Sequence, residues 1–212
     1  DQPIDGVMDM IITNSRMSEF LQGDLWAQIS ALRVGANRII DLAQKYSVET
    51  YLIAVSEYLD FGEKMARKII NALPDGQYSI EDPQDDGSIL DVTMVIDGSD
   101  FIIDLTKAPQ QTNTPINLSR DGTLLACQMA LMSLIKDKSI ANGGCFRAMT
   151  VKTKSGTIYE VIEPGPVGIY FETMIRLNDL LSRCLAQQIV KDMPAGSFSS
   201  ICATIMGGTH PD

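Results

Sequence analysis

The hydrophobic pattern changes its period at Pro74-Asp75-Gly76, and this change constrains the fold more than any other feature of the sequence. Before it, apolar residues recur every three or four positions over residues 25–43 and 52–73, which predicts two long α-helices. After it, apolar and polar residues alternate on both sides of Asp97-Gly98, which predicts a β-hairpin. Helices followed by antiparallel strands are typical of the α+β class.

The ends of the two long helices are also predicted. Asp24 is a good N-cap for the first helix, which should end near Tyr46. Ser47 can cap the second helix, which Pro74-Asp75-Gly76 ends. Because the connection between the helices is very short, we expect them to pack antiparallel.

The remaining elements are shorter. They are a strand at residues 77–81, a helix at residues 123–135, a second hairpin of residues 148–154 and 157–162 around Ser155-Gly156, and a helix at residues 172–190. We therefore predict an α+β chain with a long antiparallel helix pair, followed by β-hairpins and two further helices. The predicted division is an N-terminal segment with the helical hairpin at residues 1–76 and a mixed region at residues 77–212.

The charge balance and the cysteines limit the class of protein. A net charge of -10 repels phosphate backbones and anionic membrane surfaces, so neither nucleic acid nor a membrane is an expected partner. The four cysteines contain no C-x-x-C pair, which predicts free thiols and a cytoplasmic location. The first residue is Asp1 rather than Met, which predicts a start that was cut or processed.

Two sequence features that could indicate a metal site are incomplete. His210 is the only histidine, so this chain alone supplies neither a His-rich metal site nor a His-based triad. The acidic loop at residues 82–87 resembles a calcium loop in composition, but Gln84 and Thr93 stand where further carboxylate ligands are needed. We expect a solvated acidic turn and no metal site in this chain.

Two polar loops flank the helix predicted at residues 123–135. The first contains Asn117 after Pro115, and the second runs from Asn142 through two glycines to Arg147. An Asn amide both donates and accepts hydrogen bonds, and a guanidinium offers five donors to an anion. An Asx-type turn at Asn117 and a salt bridge of Arg147 are the structural alternatives.

The common catalytic motifs are absent from the sequence. It contains no phosphate-binding loop, no dinucleotide-binding turn, no H-E-x-x-H and no nucleophile elbow. Cys145 could act as a nucleophile only beside a base, and none lies near it in sequence. The residues alone predict a mixed α and β domain with two polar loops and no assigned catalytic residue.

Seven short segments follow one another in a specific order. They are Gly23-Asp24-Leu25-Trp26-Ala27-Gln28, Gly35-Ala36-Asn37-Arg38, Leu73-Pro74-Asp75-Gly76-Gln77-Tyr78, Asp85-Asp86-Gly87, Pro115-Ile116-Asn117, Asn142-Gly143-Gly144-Cys145-Phe146-Arg147 and Gly207-Gly208-Thr209. In this order they resemble the hydantoinase B family, although each segment alone is weak. The family contains the B subunits of N-methylhydantoinases, the matching half of 5-oxoprolinases and related subunits of acetone and acetophenone carboxylases.

The resemblance implies a shared chemistry. A partner of the hydantoinase A type would use ATP and Mg²⁺ to phosphorylate the carbonyl of a cyclic amide or ketone, and the B part would support hydrolysis or carboxylation. We therefore predict part of the B subunit of an ATP-dependent cyclic-amide hydrolase of the hydantoin or 5-oxoproline type. A subunit of a ketone carboxylase and a non-catalytic assembly module are the alternatives. The predicted substrate-binding residues are Asp24, Gln28, Asn117, Asn142, Gly144 and Arg147.

The sequence departs from the family pattern in two respects. Family members often carry Asp-Phe-Thr-Gly-Thr after the hairpin, whereas this chain has Asp104-Leu105-Thr106-Lys107-Ala108, so the resemblance does not carry over substrate preference or the role of that glycine. Two portions of the family pattern are not recognised in this chain. One is the N-terminal portion, whose His and Asp residues could hold a divalent metal, and the other is the glycine-rich C-terminal portion. We therefore expect a central fragment.

Overall fold

The computed structural model describes residues 2–189, 191, 193, 195, 196, 198–201 and 208. Its elements are α1 (Asp5–Thr13), α2 (Ser18–Tyr46), α3 (Val48–Ile70), β1 (Gly76–Pro83), β2 (Ile89–Asp97), β3 (Asp100–Asp104), α4 (Arg120–Leu134), β4 (Met149–Lys152) and α5 (Tyr170–Ile189). Two 3-10 turns, Lys138–Ile140 and Gly143–Ala148, lie between α4 and β4. The predicted α+β class is confirmed. Cys202, Gly207, Thr209 and His210 lie outside the described residues.

The chain divides into two compact units, Asp1–Glu57 and Tyr58–Asp212. In the first unit, α1 packs on α2, and neither helix buries a side chain. Large apolar side chains are consequently exposed, among them Leu32, which is 73% exposed. Among the described helices, none combines the length and apolar character that crossing a bilayer requires. The division predicted at residue 76 stays a prediction.

One expectation for the long helices needs correction. The first helix begins at Ser18, so Asp24 lies inside α2 and does not cap it. Residues 18–22 contain no helix breaker, and Gly23 is tolerated within the helix. Within the first unit, α2 and the part of α3 that belongs to it bury no side chain, and the antiparallel packing of the two helices stays a prediction.

The connection between these helices is as predicted. Helix α2 ends at Tyr46, and Ser47 caps α3 because its Oγ accepts the backbone N–H of Thr50 at 3.2 Å. Helices α4 and α5 begin three and two residues before their predicted starts. In α4 the cap is Ser119, whose Oγ accepts the backbone N–H of Gly122 at 3.1 Å.

The second unit is built on a four-stranded sheet in the order β1-β2-β3-β4. The strand predicted at residues 77–81 and the hairpin around Asp97-Gly98 are confirmed, since β1, β2 and β3 pair antiparallel. Alternate side chains of the strands face one way and form the core with α4 and α5. These buried residues include Leu90, Val92, Met94, Ile96, Phe101, Ile103, Leu131, Leu177, Leu180 and Leu181.

The second predicted hairpin is wrong. Strand β4 pairs parallel with β3, and residues 157–162 form only isolated bridges. A parallel strand needs a long crossover, and here α4 lies in the crossover between β3 and β4. The backbone of residues 158–161 instead bonds to Pro109 and Leu118. Apolar and polar residues that alternate on both sides of a Ser-Gly turn are compatible with a hairpin and also with a strand followed by an ordered loop.

The acidic loop is not solvated along its whole length. Asp82 is buried at the end of β1, where its Oδ2 lies 2.6 Å from Arg176 Nη2 and its Oδ1 lies 3.3 Å from Arg183 Nη1. Asp85 and Asp86 are exposed, as predicted. Asp82 therefore ties β1 to α5, a pairing between residues far apart in sequence.

Candidate functional site

The Gly143–Ala148 turn, called the glycine turn below, is held against α3 by Asn142. Asn142 Oδ1 accepts the backbone N–H of Gly144 at 2.8 Å and so caps the turn. Its Nδ2 donates to the backbone carbonyl of Tyr58 in α3 at 2.8 Å. One side chain thereby joins two segments of the second unit that are 84 residues apart in sequence.

Two glycines permit this close approach of the turn to α3. A Cβ added at Gly62 in α3 would lie 2.2 Å from Asn142 Oδ1. A Cβ added at Gly144 would lie 1.8 Å from the carbonyl oxygen of Leu59. Real Cβ atoms do not approach other atoms so closely. At Gly144 the conflict is with backbone, so that position requires glycine, whereas a Cβ at Gly62 would displace the Asn142 side chain.

Arg147 lies in a chain of ion pairs that follows the same side of α3. Its Nη1 lies 2.6 Å from Asp60 Oδ1 and 3.5 Å from Glu63 Oε2. Glu63 Oε1 also pairs with Arg67 Nε at 2.9 Å, and Arg67 Nη1 pairs with Asp100 Oδ1 at 2.7 Å. The hydrogen bond to Asp60, helped by Glu63, raises the pKa of Arg147 above its ordinary value.

These contacts leave part of the Arg147 guanidinium available for further hydrogen bonds. The side chain is 44% exposed, and its Nε and Nη2 have no hydrogen-bond partner among the described residues. Arg147 does form a salt bridge, which was the alternative to anion binding, but only its Nη1 takes part. The remaining donors can form a charge-assisted pair with an anion.

Asn117 is fully buried, and its amide is engaged by backbone groups. Its Oδ1 accepts the N–H of Thr112 at 2.8 Å. Its Nδ2 donates to the carbonyls of Thr112, Thr114 and Pro166 at 2.8, 3.1 and 2.8 Å. These contacts support the turn-stabilising alternative for Asn117, and substrate binding there stays a prediction.

Asp24 and Gln28 are the two predicted site residues in the first unit. They lie one turn apart on α2 and are exposed. Neither forms a hydrogen bond or an ion pair with any residue that the structure describes. The structure thus brings together Asn142, Gly144 and Arg147, while Asn117 lies in another loop of the second unit.

Cys145 is fully buried in the glycine turn, with its Sγ 3.6 Å from the carbonyl oxygen of Ile140. Cys127 and Cys184 are also buried free thiols, and burial raises the pKa of each to about 12. A thiol with so high a pKa is a poor nucleophile at neutral pH. Cys127 and Cys184 therefore serve packing, and Cys145 is likewise buried.

A row of polar side chains crosses the sheet and is not predicted from the sequence. Ser79, Thr93, Asp104 and Lys152, called the polar row below, are neighbours on the four successive strands, on the face opposite α4 and α5. Their alternation with buried residues is visible in the sequence, but the strand register that aligns them is not. Ser79 Oγ and Thr93 Oγ1 are 3.0 Å apart, so the row begins with a hydrogen bond.

A cavity of about 360 Å³ is lined by Thr93, Asp104 and Lys152 of the polar row. Asp91 and Lys107 also line it, and Lys107 stands where the sequence departs from the family pattern. Burial would raise the pKa of Asp104, but two hydrogen bonds from Thr106 and the charges of Lys152 and Lys107 outweigh it and lower the pKa. In the part of the chain that the structure describes, no three His, Cys, Asp or Glu side chains are grouped for a metal ion.

The chain is similar to larger proteins from Pseudomonas. It is 34% identical over 207 residues to a protein assigned as the B subunit of a D-/L-hydantoinase of Pseudomonas sp. (strain NS671), covering 90% of this chain and 35% of that protein. It is 28% identical over 167 residues to the beta subunit of the caprolactamase of Pseudomonas jessenii, covering 76% of this chain and 29% of that protein. The chain thus spans about a third of the length of these relatives.

A solved structure has the same fold. The crystal structure of the ATP-dependent caprolactamase from Pseudomonas jessenii superposes with a TM-score of 0.78 and 26% sequence identity, covering 90% of this chain and 34% of that chain. The sequence model of the hydantoinase B/oxoprolinase family matches residues 1–212. The chain belongs to the hydantoinase B/oxoprolinase family.

Proposed function

We propose that this chain is part of the B subunit of an ATP-dependent cyclic-amide hydrolase of the hydantoin or 5-oxoproline type. The observation that carries the proposal is the likeness in sequence and fold to the ATP-dependent caprolactamase of Pseudomonas jessenii. The named relatives are subunits of a hydantoinase and of a caprolactamase, which favours hydrolysis over carboxylation. A partner of the hydantoinase A type would bind ATP and Mg²⁺, and the complex would be cytoplasmic.

In this proposal the glycine turn forms one wall of the substrate site. Asn142 fixes the turn on α3, and Gly144 allows its backbone to approach Leu59. Asp60 and Glu63 hold Arg147 Nη1 and so orient the guanidinium. Its Nε and Nη2 would donate to an anionic oxygen of the phosphorylated substrate.

Replacing Arg147 by lysine tests this role. We expect turnover of the complete complex to fall by about 10- to 100-fold, because an ammonium keeps the charge but loses the planar pair of donors. The free energy of unfolding should change by less than about 1 kcal/mol, since exposed ion pairs contribute little. The measurement is ring opening of hydantoin and 5-oxoproline by the complete complex of both subunits with ATP and Mg²⁺.

Arg67→Lys is the matched control, because Arg67 belongs to the same chain of ion pairs. Arg67→Lys should lower the melting temperature more than Arg147→Lys does. It should lower turnover less than Arg147→Lys does. Unchanged turnover of Arg147→Lys would remove Arg147 from the site. Absence of ring opening by the unaltered complex over a panel of cyclic amides would contradict the hydrolase proposal, and incorporation of labelled bicarbonate into a ketone would favour the carboxylase.

One observation favours the assembly module as a second candidate function. Helices α1 and α2 bury no side chain, and a cavity of about 660 Å³ between them is lined by Ile4, Val7, Ile29 and Leu32 among others. Patches of this kind mark interaction surfaces. The occupant proposed is the A-type partner, because the relatives are named as subunits of larger enzymes.

Leu32→Glu tests this second function. We expect at least about tenfold weaker co-purification of the A-type partner with the full-length protein, since a carboxylate in an apolar contact is desolvated without a partner. Ser30→Glu adds the same charge to an exposed position of the same helix and should have little effect. Equal retention of the partner by both variants would argue against the α1–α2 surface as the partner contact.

A further inference from the structure

The first unit contains no hydrophobic core of its own among the described residues. Helices α1 and α2 bury no side chain, and the buried residues of α3 all belong to the second unit. Helices in proteins owe most of their stability to the packing of an apolar face against other elements. We therefore expect apolar faces of the first unit to be covered in the folded full-length protein.

One uncovered face lies at the N-terminal end of α3. It consists of Val48, Leu52 and Val55, called the α3 stripe below, which are 62%, 60% and 41% exposed. Spacings of four and three residues place them on one side of the helix. Residues of α3 that continue this spacing in the second unit are buried, namely Gly62, Ala66 and Ile70. The α3 stripe therefore has the pattern of a packed helix face, but no described residue covers it.

The charges near the α3 stripe are acidic. Between Val48 and Glu63 the helix contains four acidic residues and no lysine or arginine. Asp60 and Glu63 pair with Arg147. Glu49, beside the stripe, has no hydrogen bond or ion pair among the described residues. If a second copy docked through the same stripe, its carboxylates would face those of the first copy, so the charge favours a basic occupant.

The length of the relatives indicates where such an occupant is found. About two thirds of each Pseudomonas relative lies outside the part that matches this chain. The matched third of the caprolactamase chain has the same fold, so this fold occurs there within a longer polypeptide. A segment of the same polypeptide meets the stripe at a high effective concentration, which favours it over a separate protein.

We propose that the α3 stripe binds an amphipathic helix of the same polypeptide, from outside residues 1–212, with lysine or arginine beside its apolar face. The occupant is a helix because the three side chains form a straight row about 10 Å long, which fits along two turns of a second helix. Its basic residue would pair with Glu49, as Arg147 pairs with Asp60. The stripe shares no residue with the cavity between α1 and α2.

Thiol labelling of the full-length protein tests the docking. Leu52→Cys and Val55→Cys each place a thiol in the stripe, and Glu57→Cys places one on another side of α3 as the matched control. We expect iodoacetamide to label both stripe variants at least about tenfold more slowly than Glu57→Cys, after each rate is divided by that of the same variant in urea. Equal rates would mean that the stripe is exposed in the full-length protein and would overturn the inference.

Reversing the charge of Glu49 tests the basic flank of the occupant. In the full-length protein with Leu52→Cys, we expect Glu49→Lys to speed labelling by at least about threefold, because like charges then meet beside the stripe. Glu57→Lys makes the same change on another side of the helix and should leave the rate unchanged. An unchanged rate in Glu49→Lys would overturn the assignment of a basic occupant.

A photo-crosslinking residue in place of Leu52 identifies the occupant. We expect the crosslinked protein to migrate as a monomer and the crosslinked peptide to come from outside residues 1–212. Crosslinking to residues 1–212, to a second copy or to the A-type partner would overturn the inference. Labelling and crosslinking need neither ATP nor substrate, so failure of the hydrolase proposal would leave their outcome unaffected.

Discussion

Replacing Gly144 by alanine should lower the free energy of unfolding by at least about 3 kcal/mol. The new Cβ would lie 1.8 Å from the carbonyl oxygen of Leu59 and 2.9 Å from Asn142 Oδ1. The first of these is backbone within α3 and cannot rotate away, so the glycine turn must separate from the helix. Asn142 would then lose its hydrogen bond to Tyr58. Urea denaturation of the full-length protein measures the loss.

Gly143→Ala is the matched control for this prediction. A Cβ at Gly143 would lie 3.8 Å from Leu59 Cδ2, which is an ordinary van der Waals contact. The free energy of unfolding should therefore change by less than about 0.5 kcal/mol, as for other substitutions that meet no steric conflict. Equal stabilities of the two variants would mean that the turn does not pack on α3 as described.

The glycine turn shows which part of the candidate site a sequence can predict. Asn142 followed by two glycines predicts a polar turn, because an Asn side chain caps such turns and glycine relieves steric limits. The sequence does not reveal that Gly62 and Gly144 both lie against the Asn142 side chain. That contact depends on tertiary packing between segments that are about 80 residues apart, which local patterns do not encode.

The sheet shows the same limit. Alternation in β2 and β3 predicts their hairpin, because the chain reverses at a glycine with a φ of 55° and the strands are neighbours in sequence. The parallel pairing of β3 with β4 is not predicted, since α4 and two loops separate them. The polar row depends on that pairing, because Lys152 joins Asp104 only when β4 lies beside β3.

Replacing Asp82 by asparagine should lower the free energy of unfolding by about 2–3 kcal/mol at neutral pH, because it leaves Arg176 and Arg183 without their buried counter-charge. The Asp82 side chain is only 9% exposed, whereas both arginines reach solvent. The expected fall in the free energy of unfolding is therefore smaller than for a fully buried ion pair. Asp85→Asn, in the exposed part of the same loop, is the control and should change stability by less than about 0.5 kcal/mol.

The pH dependence of this difference follows from the pKa of Asp82. Burial alone would raise the pKa, but the hydrogen bonds from Arg176, Gln84 and Arg183 outweigh burial and lower the pKa below its ordinary value of 3.8. A carboxyl group with a lowered pKa in the folded state stabilises the protein above its unfolded pKa and loses this contribution as pH falls through the folded one. The difference between the unaltered protein and Asp82→Asn should therefore be constant from about pH 5 to about pH 8, where the carboxyl stays ionised, and should shrink below about pH 4. Urea midpoints measured across this range check the prediction, and a difference that persists at about pH 2 would assign the effect of Asp82 to packing instead of charge.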